Sequence, residues 1–92
     1  MENNALRINP ADNVVVAIRN VKKGDPVVVK GETLFKAAQN VDSGHKIALG
    51  PIKAGSRVIR YGEPILKATC DIQQGEWVHL HNTQPEVLYS AS

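Results

Sequence analysis

Short apolar runs separated by turn-forming residues dominate the chain, and none of them has the length or periodicity of an amphipathic helix. Residues 14–18 are rich in β-branched side chains and are apolar at every position, which favours a central strand buried on both faces. Residues 57–61 instead mix polar and apolar side chains, which favours a half-buried strand. The pattern predicts an all-β domain built from short strands.

A motif that occurs four times separates these strands. It consists of an aliphatic residue, two mostly polar residues, a glycine, two further residues and a second aliphatic residue; its copies begin at Val21, Val41, Ile52 and Ile72. We call each copy a glycine corner. The first aliphatic residue is expected to pack in the core, the glycine to adopt a positive φ without Cβ strain, and the second aliphatic residue to begin a strand.

The spacing of the corners predicts two similar halves. The four glycines are 20, 11 and 20 residues apart, and this unevenness argues against a solenoid of equal repeats. The equal outer intervals instead indicate that residues 20–47 and 51–78 form halves that pack against each other.

Residues 35–39 are predicted to form at most one short helical turn. The domain is predicted to span residues 1–82, with residues 83–92 as a flexible tail or a linker to a missing catalytic domain.

Composition excludes several classes of function. The 92 residues carry a formal net charge of +2, from 11 basic and 9 acidic side chains. Because the two signs are interspersed and aromatic residues are scarce, nucleic acid is not an expected partner. No apolar run approaches a membrane span and no signal peptide is evident. The single cysteine, Cys70, excludes an internal disulfide and is expected to be a packed thiol at a strand end. We therefore expect a cytoplasmic protein, with homo-oligomerisation left open.

Candidate chemistry concentrates at residues 75–82. If this stretch is a strand, His79 and His81 point to one face while Val78 and Leu80 point to the other, with Asn82 just beyond. Neutral imidazole is a common ligand for iron, zinc and copper, and it also serves as a general acid or base. Solvated histidines at a strand edge are equally compatible with this pattern.

Four further polar residues have both a functional and a structural interpretation. His45 directly follows a corner glycine, where it would either meet His79 and His81 or hydrogen-bond to a backbone carbonyl. Lys46 is expected on the opposite face, in solvent. Arg60 could grip a substrate carboxylate bidentately or be a surface charge, and Asp71 is expected to cap the corner that follows it.

Several separated motifs together resemble a known family. They are residues 12–14, 44–49, 60–65, 71–75 and 78–82, and they are similar to the SAF domain, of β-clip fold, that stands at the N-terminus of altronate dehydratases in the altronate/galactarate dehydratase family. The resemblance extends from about Ile8 to Asn82. It implies part of a hydro-lyase that removes water from a hexonate to give a 2-keto-3-deoxy acid. Such a domain either precedes a larger catalytic domain in the same chain or is a separate small subunit of the enzyme. We therefore expect no turnover by this chain alone.

The resemblance and the residue chemistry together give expected roles for particular residues. His45, His79 and His81 are the expected catalytic residues, and Arg60, Asn82 and Trp77 the expected substrate-binding residues. Fe²⁺ or Mn²⁺ is the implied activator, with His79 and His81 as a partial ligand set that another domain or chain completes.

Two residues depart from the family pattern, and two alternatives to a dehydratase stay open. Trp77 stands where the family usually has histidine, and Leu66 stands where it usually has glycine, which would alter the local backbone. One alternative is a non-catalytic SAF module for interaction or carbohydrate binding. The other is the small subunit of a sulfolactate sulfo-lyase.

Overall fold

The computed structural model describes residues 2–85, and these residues form the expected all-β domain. They contain no helix long and apolar enough to cross a membrane. Within them the chain forms short strands only: β1 (Ala5–Leu6), β2 (Val14–Ala17), β3 (Pro26–Val29), β4 (Glu32–Lys36), β5 (Lys46–Ala48), β6 (Arg57–Arg60), β7 (Glu63–Ala68), β8 (Trp77–Val78) and β9 (Thr83–Pro85).

A central antiparallel sheet in the order β1-β2-β5-β8 organises the domain, flanked by the β3-β4 hairpin and by a sheet in the order β6-β7-β9. Each face of the central sheet packs against its own apolar cluster. Val15 and Ile47 belong to one cluster, with Trp77 packed against it, whereas Val14, Ala48 and Val78 belong to the other. These two cores explain why β2 is apolar at consecutive positions, as a strand buried on both faces must be.

All four glycine corners are confirmed. Their glycines have φ between 86° and 90°, a region that side chains with a Cβ adopt only under strain. Their first aliphatic residues are at most 3% exposed and meet in two isolated bridges, Val21 with Val41 and Ile52 with Ile72. The second aliphatic residues, which lie in β3, β5, β6 and β8, are fully buried. Corners therefore pair within each predicted half.

The two halves share a backbone plan in which equivalent residues are 31 positions apart. Each contains one hairpin, β3-β4 or β6-β7, with a register shift in its first strand and two positive φ angles at its turn. An asparagine side chain hydrogen-bonds to the backbone at each register shift. Asn4 accepts from Val28 N–H at 2.8 Å, and Asn13 accepts from Ile59 N–H at 2.8 Å, so backbone groups that the ladder leaves free are paired.

The short helical turn allowed for residues 35–39 is absent, and the predicted end of the domain is wrong. Residues 35–39 form no helical turn, because Phe35 and Lys36 complete β4 and the following amides bond to the corners: Ala37 N–H donates to Asp25 C=O and Ala38 N–H to Gly75 C=O, each at 2.9 Å. Thr83–Pro85, assigned to the tail, instead form β9 against β7. The remaining residues of the predicted tail, 86–92, lie outside the described part of the chain.

Two residues near β7 also differ from expectation. Leu66 does not disturb the backbone: it lies within β7, opposite Val58 and Pro85, and packs against the second core. The predicted packing of Cys70 is wrong, because β7 ends at Ala68 and the thiol beyond it is exposed.

Candidate functional site

The corners bring His45 of one half beside His79 of the other, which is one of the two alternatives left open for His45. The corner at Gly44 leads into β5, and the corner at Gly75 leads into its neighbour β8, with Ile47 opposite Trp77. His45, just before β5, therefore lies beside β8. Its ring centroid is 5.6 Å from that of Trp77 and 4.8 Å from that of His79.

Trp77 lies at the centre of this cluster and faces both later histidines. Its indole stacks on His79, with centroids 5.1 Å apart and an interplanar angle of 11°, and it contacts His81 at 4.9 Å. Its Nε1–H donates a hydrogen bond of 3.1 Å to His45 Nδ1. Because Nδ1 is the acceptor, the neutral His45 ring carries its proton on Nε2 and offers that N–H as a donor. We call His45, Trp77, His79 and His81 the imidazole cluster.

The strand predicted through Asn82 is wrong, because β8 ends at Val78 and residues 79–82 form a turn into β9. Leu80, expected to face the core, is 74% exposed. The amide of Asn82 holds this turn: it accepts from His79 N–H at 2.9 Å and donates to Trp77 C=O at 2.8 Å. Asn82 is buried and its side chain is occupied by the backbone, so its observed contacts are structural, and they fix the direction of the His79 side chain.

The cluster is electropositive and partly dehydrated. Burial, followed by the nearby charges of His45, Lys46 and His81, lowers the pKa of His79. At neutral pH His79 is therefore a neutral imidazole with a free lone pair. Burial, followed by the charge of Arg60, likewise lowers the pKa of Lys46. Lys46 is half-buried rather than solvated, but its pairing with Val78 places it on the expected face of the central sheet, opposite Trp77.

Arg60 lies where β6 turns into β7. Its guanidinium carbon is 4.9 Å from the centre of the Tyr61 ring, within the range of a cation–π interaction. Its Nε is buried and has no hydrogen-bond partner in the described structure. The residue therefore has donor capacity that the domain does not use.

The turn that carries Arg60 is fixed by a buried carboxylate that the sequence interpretation did not single out. Asp12 is 3% exposed and accepts from Gly62 N–H at 2.7 Å and from Asn9 N–H at 3.0 Å. Burial raises its pKa, but these backbone donors, with those of Tyr61 and Ile8, outweigh burial and leave the pKa of Asp12 below its usual value. In the sequence it stood out only as part of the motif of residues 12–14, to which no role was assigned.

Asp71 caps a corner, but not the expected one. Its Oδ1 accepts from Ala54 N–H at 2.8 Å, so it bonds to the preceding corner rather than to the one that follows it. The partner is non-local because the two corners of the second half pair through Ile52 and Ile72.

The imidazole cluster does not fit a metal ion on its own. Residues 2–85 contain no group of three or more His, Cys, Asp or Glu side chains arranged to hold one. At His45 the Nδ1 lone pair is occupied by the Trp77 donor and the proton resides on Nε2, which leaves no free lone pair for ligation. The implied iron or manganese would need most of its ligands from elsewhere.

Comparison with known proteins assigns this chain to one family. Residues 3–86 match the family model described as the altronate/galactarate dehydratase SAF domain, so the chain belongs to that family and its β-clip is a SAF domain. Altronate dehydratase of Bacillus subtilis (strain 168) is 38% identical over 89 residues, which cover 92% of this chain. The match covers 18% of that relative, so the chain spans less than one fifth of its length.

Proposed function

We propose that this SAF domain is the N-terminal domain or small subunit of a sugar-acid dehydratase, with the imidazole cluster forming one wall of an active site that a larger catalytic part completes. The observation that carries the proposal is the convergence of His45, His79 and His81 around Trp77, with ring centroids 4.8–5.6 Å apart. The family match and the name of the Bacillus subtilis relative support the reaction class.

The reaction would remove water from a hexonate. The hydrogen on C2 leaves as a proton, the C3–O bond breaks with protonation of the departing hydroxyl, and the resulting enol tautomerises to the 2-keto-3-deoxy acid. Such a reaction needs one group that accepts a proton and one that donates. His79, neutral because its pKa is lowered, suits the acceptor, and the Nε2–H of His45 suits a donor to a developing negative charge.

His81 and Trp77 have different parts in this proposal. His81 lies on the Trp77 ring and is exposed, so it is available to a substrate or to the catalytic part. Trp77 orients His45 and presents its half-buried ring for stacking on a substrate. Asn82 acts through the turn that positions His79, rather than as a direct ligand of the substrate.

The larger part of the enzyme would supply what the SAF domain lacks. We expect Fe²⁺ or Mn²⁺ to be held mainly by that part, because the cluster does not fit a metal ion on its own. A bound divalent ion would polarise the substrate carboxylate and hydroxyl. The proposed setting is the cytoplasm, in keeping with the single cysteine and with a metabolic relative.

Turnover of the assembled enzyme tests this proposal. With the domain joined to its catalytic part, His79→Ala and His81→Ala should each be assayed with a hexonate by following 2-keto acid formation. Because positioned acid–base groups contribute about 100-fold or more, His79→Ala is expected to lower kcat by about that factor. Lys53→Ala is the control, since Lys53 is an exposed residue of a glycine corner.

Two outcomes would contradict the catalytic role. Near-normal kcat in both histidine variants would leave a non-catalytic interaction or carbohydrate-binding module as the better interpretation. An equal loss in Lys53→Ala would show that the assay reports assembly rather than the chemistry of the imidazole cluster.

A further inference from the structure

The outer edge of β8 is paired by side-chain amides at Trp77. β8 is the last strand of the central sheet, so one of its edges faces away from β5. On that edge Gln39 Oε1 accepts from Trp77 N–H at 2.8 Å, and Asn82 Nδ2 donates to Trp77 C=O at 2.8 Å. Both polar groups of the Trp77 backbone are therefore paired, as backbone groups shielded from water are in folded proteins.

The backbone of Trp77 fixes the orientation of each amide. Its N–H can only donate and selects the oxygen of the Gln39 amide, whereas its C=O can only accept and selects the nitrogen of the Asn82 amide. Exchanging oxygen and nitrogen in either amide would set donor against donor or acceptor against acceptor. Each amide therefore takes the place of one backbone group of a neighbouring strand.

Gln39 is held in place to make this contact. The amide before it, Ala38 N–H, donates to Gly75 C=O at 2.9 Å. The two segments approach so closely that a Cβ on Gly75 would lie 2.7 Å from Lys36 O. The backbone of the first half therefore lies along the corner that leads into β8, two residues before Trp77. The half-buried side chain of Gln39 extends from this anchored segment to the Trp77 N–H.

Trp77 connects Gln39 to the imidazole cluster. Its Nε1–H donates to His45 Nδ1 at 3.1 Å, and its indole stacks on His79 with ring centroids 5.1 Å apart. Without the oxygen of Gln39, the Trp77 N–H would lose its acceptor, and leaving such a group unpaired is costly. The Trp77 backbone would therefore turn to find another acceptor and carry the indole with it. The position of the indole, and with it the Nε2–H tautomer of His45, thus depends on Gln39.

We propose that Gln39 is a positioning residue for the imidazole cluster: through the Trp77 backbone it holds the indole that keeps His45 in its Nε2–H tautomer. Its contribution to turnover rests on the proposed function, in which the Nε2–H of His45 donates to the substrate, whereas its effect on the tautomer does not. The sequence did not indicate this role, because Gln39 and Trp77 are 38 positions apart.

Histidine ¹⁵N spectra of the 92-residue chain, recorded at a pH where the imidazoles are neutral, test the positioning role without turnover. Gln39→Met keeps the length of the side chain and removes the acceptor oxygen. Because a neutral hydrogen bond is worth about fivefold in an equilibrium, this change should lower the ratio of Nε2–H to Nδ1–H tautomer at His45 by about that factor. The His45 shifts should move towards those of Trp77→Phe, which lacks the indole N–H. Gln39→Glu keeps an acceptor oxygen and should leave them close to those of the wild type.

Gln73→Met is the matched control, because Gln73 is an exposed glutamine of the Gly75 corner and its replacement should leave the His45 shifts unchanged. The dispersion of ¹H–¹⁵N spectra shows whether each variant is folded. Gln39→Asn, whose amide is one methylene shorter, is measured in parallel and replaces Gln39→Met if that variant is unfolded.

Two results would overturn the positioning role of Gln39. One is a set of wild-type His45 shifts in the folded variant that lacks the acceptor. The other is an equal change in that variant and in Gln73→Met. Either result is separate from the fate of the dehydratase proposal, because the His45 shifts are measured without substrate, whereas kcat of His79→Ala tests the chemistry.

Discussion

Replacing Gly75 with alanine should destabilise the domain more than the same change at its counterpart, Gly44. Both glycines have the same backbone conformation, with φ of 86° and 88°, so alanine pays the same cost of about 1–2 kcal/mol for a positive φ at either site. Their surroundings differ. A Cβ at Gly44 meets nothing within 4 Å, whereas one at Gly75 would lie 2.7 Å from Lys36 O and 2.9 Å from Ala38 N.

The contacts at Gly75 are with backbone atoms, which cannot move aside as a flexible side chain would. Ala38 N–H also donates to Gly75 C=O at 2.9 Å, so relieving the overlap would strain a hydrogen bond that joins the halves. Overpacking of this kind costs about 1–3 kcal/mol. We therefore expect a loss of about 1–2 kcal/mol for Gly44→Ala and about 2–5 kcal/mol for Gly75→Ala.

Urea unfolding measures both losses. The single tryptophan reports on the imidazole cluster and far-UV circular dichroism on the strands; coincident transitions would support two-state analysis. Gly44→Ala serves as the control for the backbone term alone. Free energies of unfolding within about 0.5 kcal/mol of each other, which is near the reproducibility of such comparisons, would refute the proposed crowding at Gly75.

Three further predictions each concern a single residue: Trp77, Asp12 and Cys70. Trp77→Phe removes the indole N–H while keeping a ring, so the ¹⁵N shifts of His45 should change from those of a fixed Nε2–H tautomer to those of a mixture; unchanged shifts would disprove the hydrogen bond. Asp12→Ala should lower the free energy of unfolding by about 1–3 kcal/mol for each backbone donor that it leaves unpaired. Because the folded pKa of Asp12 lies below its ordinary value of 3.8, its stabilisation is complete above that pH and is lost as the pH falls through the folded pKa. Acid unfolding of Asp12→Asn should accordingly depend less on pH than that of the wild type, and equal dependence would contradict this assignment. Cys70, being exposed, should react with a thiol reagent in the folded protein without denaturant; reaction only on unfolding would show that it is covered.

The glycine corners were predictable from sequence because each depends only on residues that are close together in the chain. A glycine with positive φ and two flanking aliphatic residues are sufficient to specify a bend with buried ends, and the 31-residue offset between halves follows from their spacing. The convergence of His45 with His79 followed in turn from packing those halves corner to corner.

The sequence was a poor guide where a non-local or side-chain contact, rather than the local pattern of polar and apolar residues, determines the structure. Residues 35–39 contain good helix formers, but their amides bond to distant corners instead. The alternation through His79 and His81 suggested a strand, yet the Asn82 side chain pairs with the backbone and turns the chain. Alternation placed Lys46 on the face opposite His45, but it could not show that the second core covers this face and leaves Lys46 half-buried.

The position after the corner glycine is used differently at the Gly44 corner than at two of the others. At two corners this position holds an acid that caps its own turn: Asp25 accepts from Lys22 N–H, and Glu76 from Gln73 N–H. His45 occupies the equivalent position at the Gly44 corner, and its side chain instead bonds to Trp77 on the other half. The backbone plan is the same in both halves, so it does not require this difference. The side chain of His45 is therefore free of the capping role and joins the two halves through Trp77, and this placement is what the proposed chemistry at their interface requires.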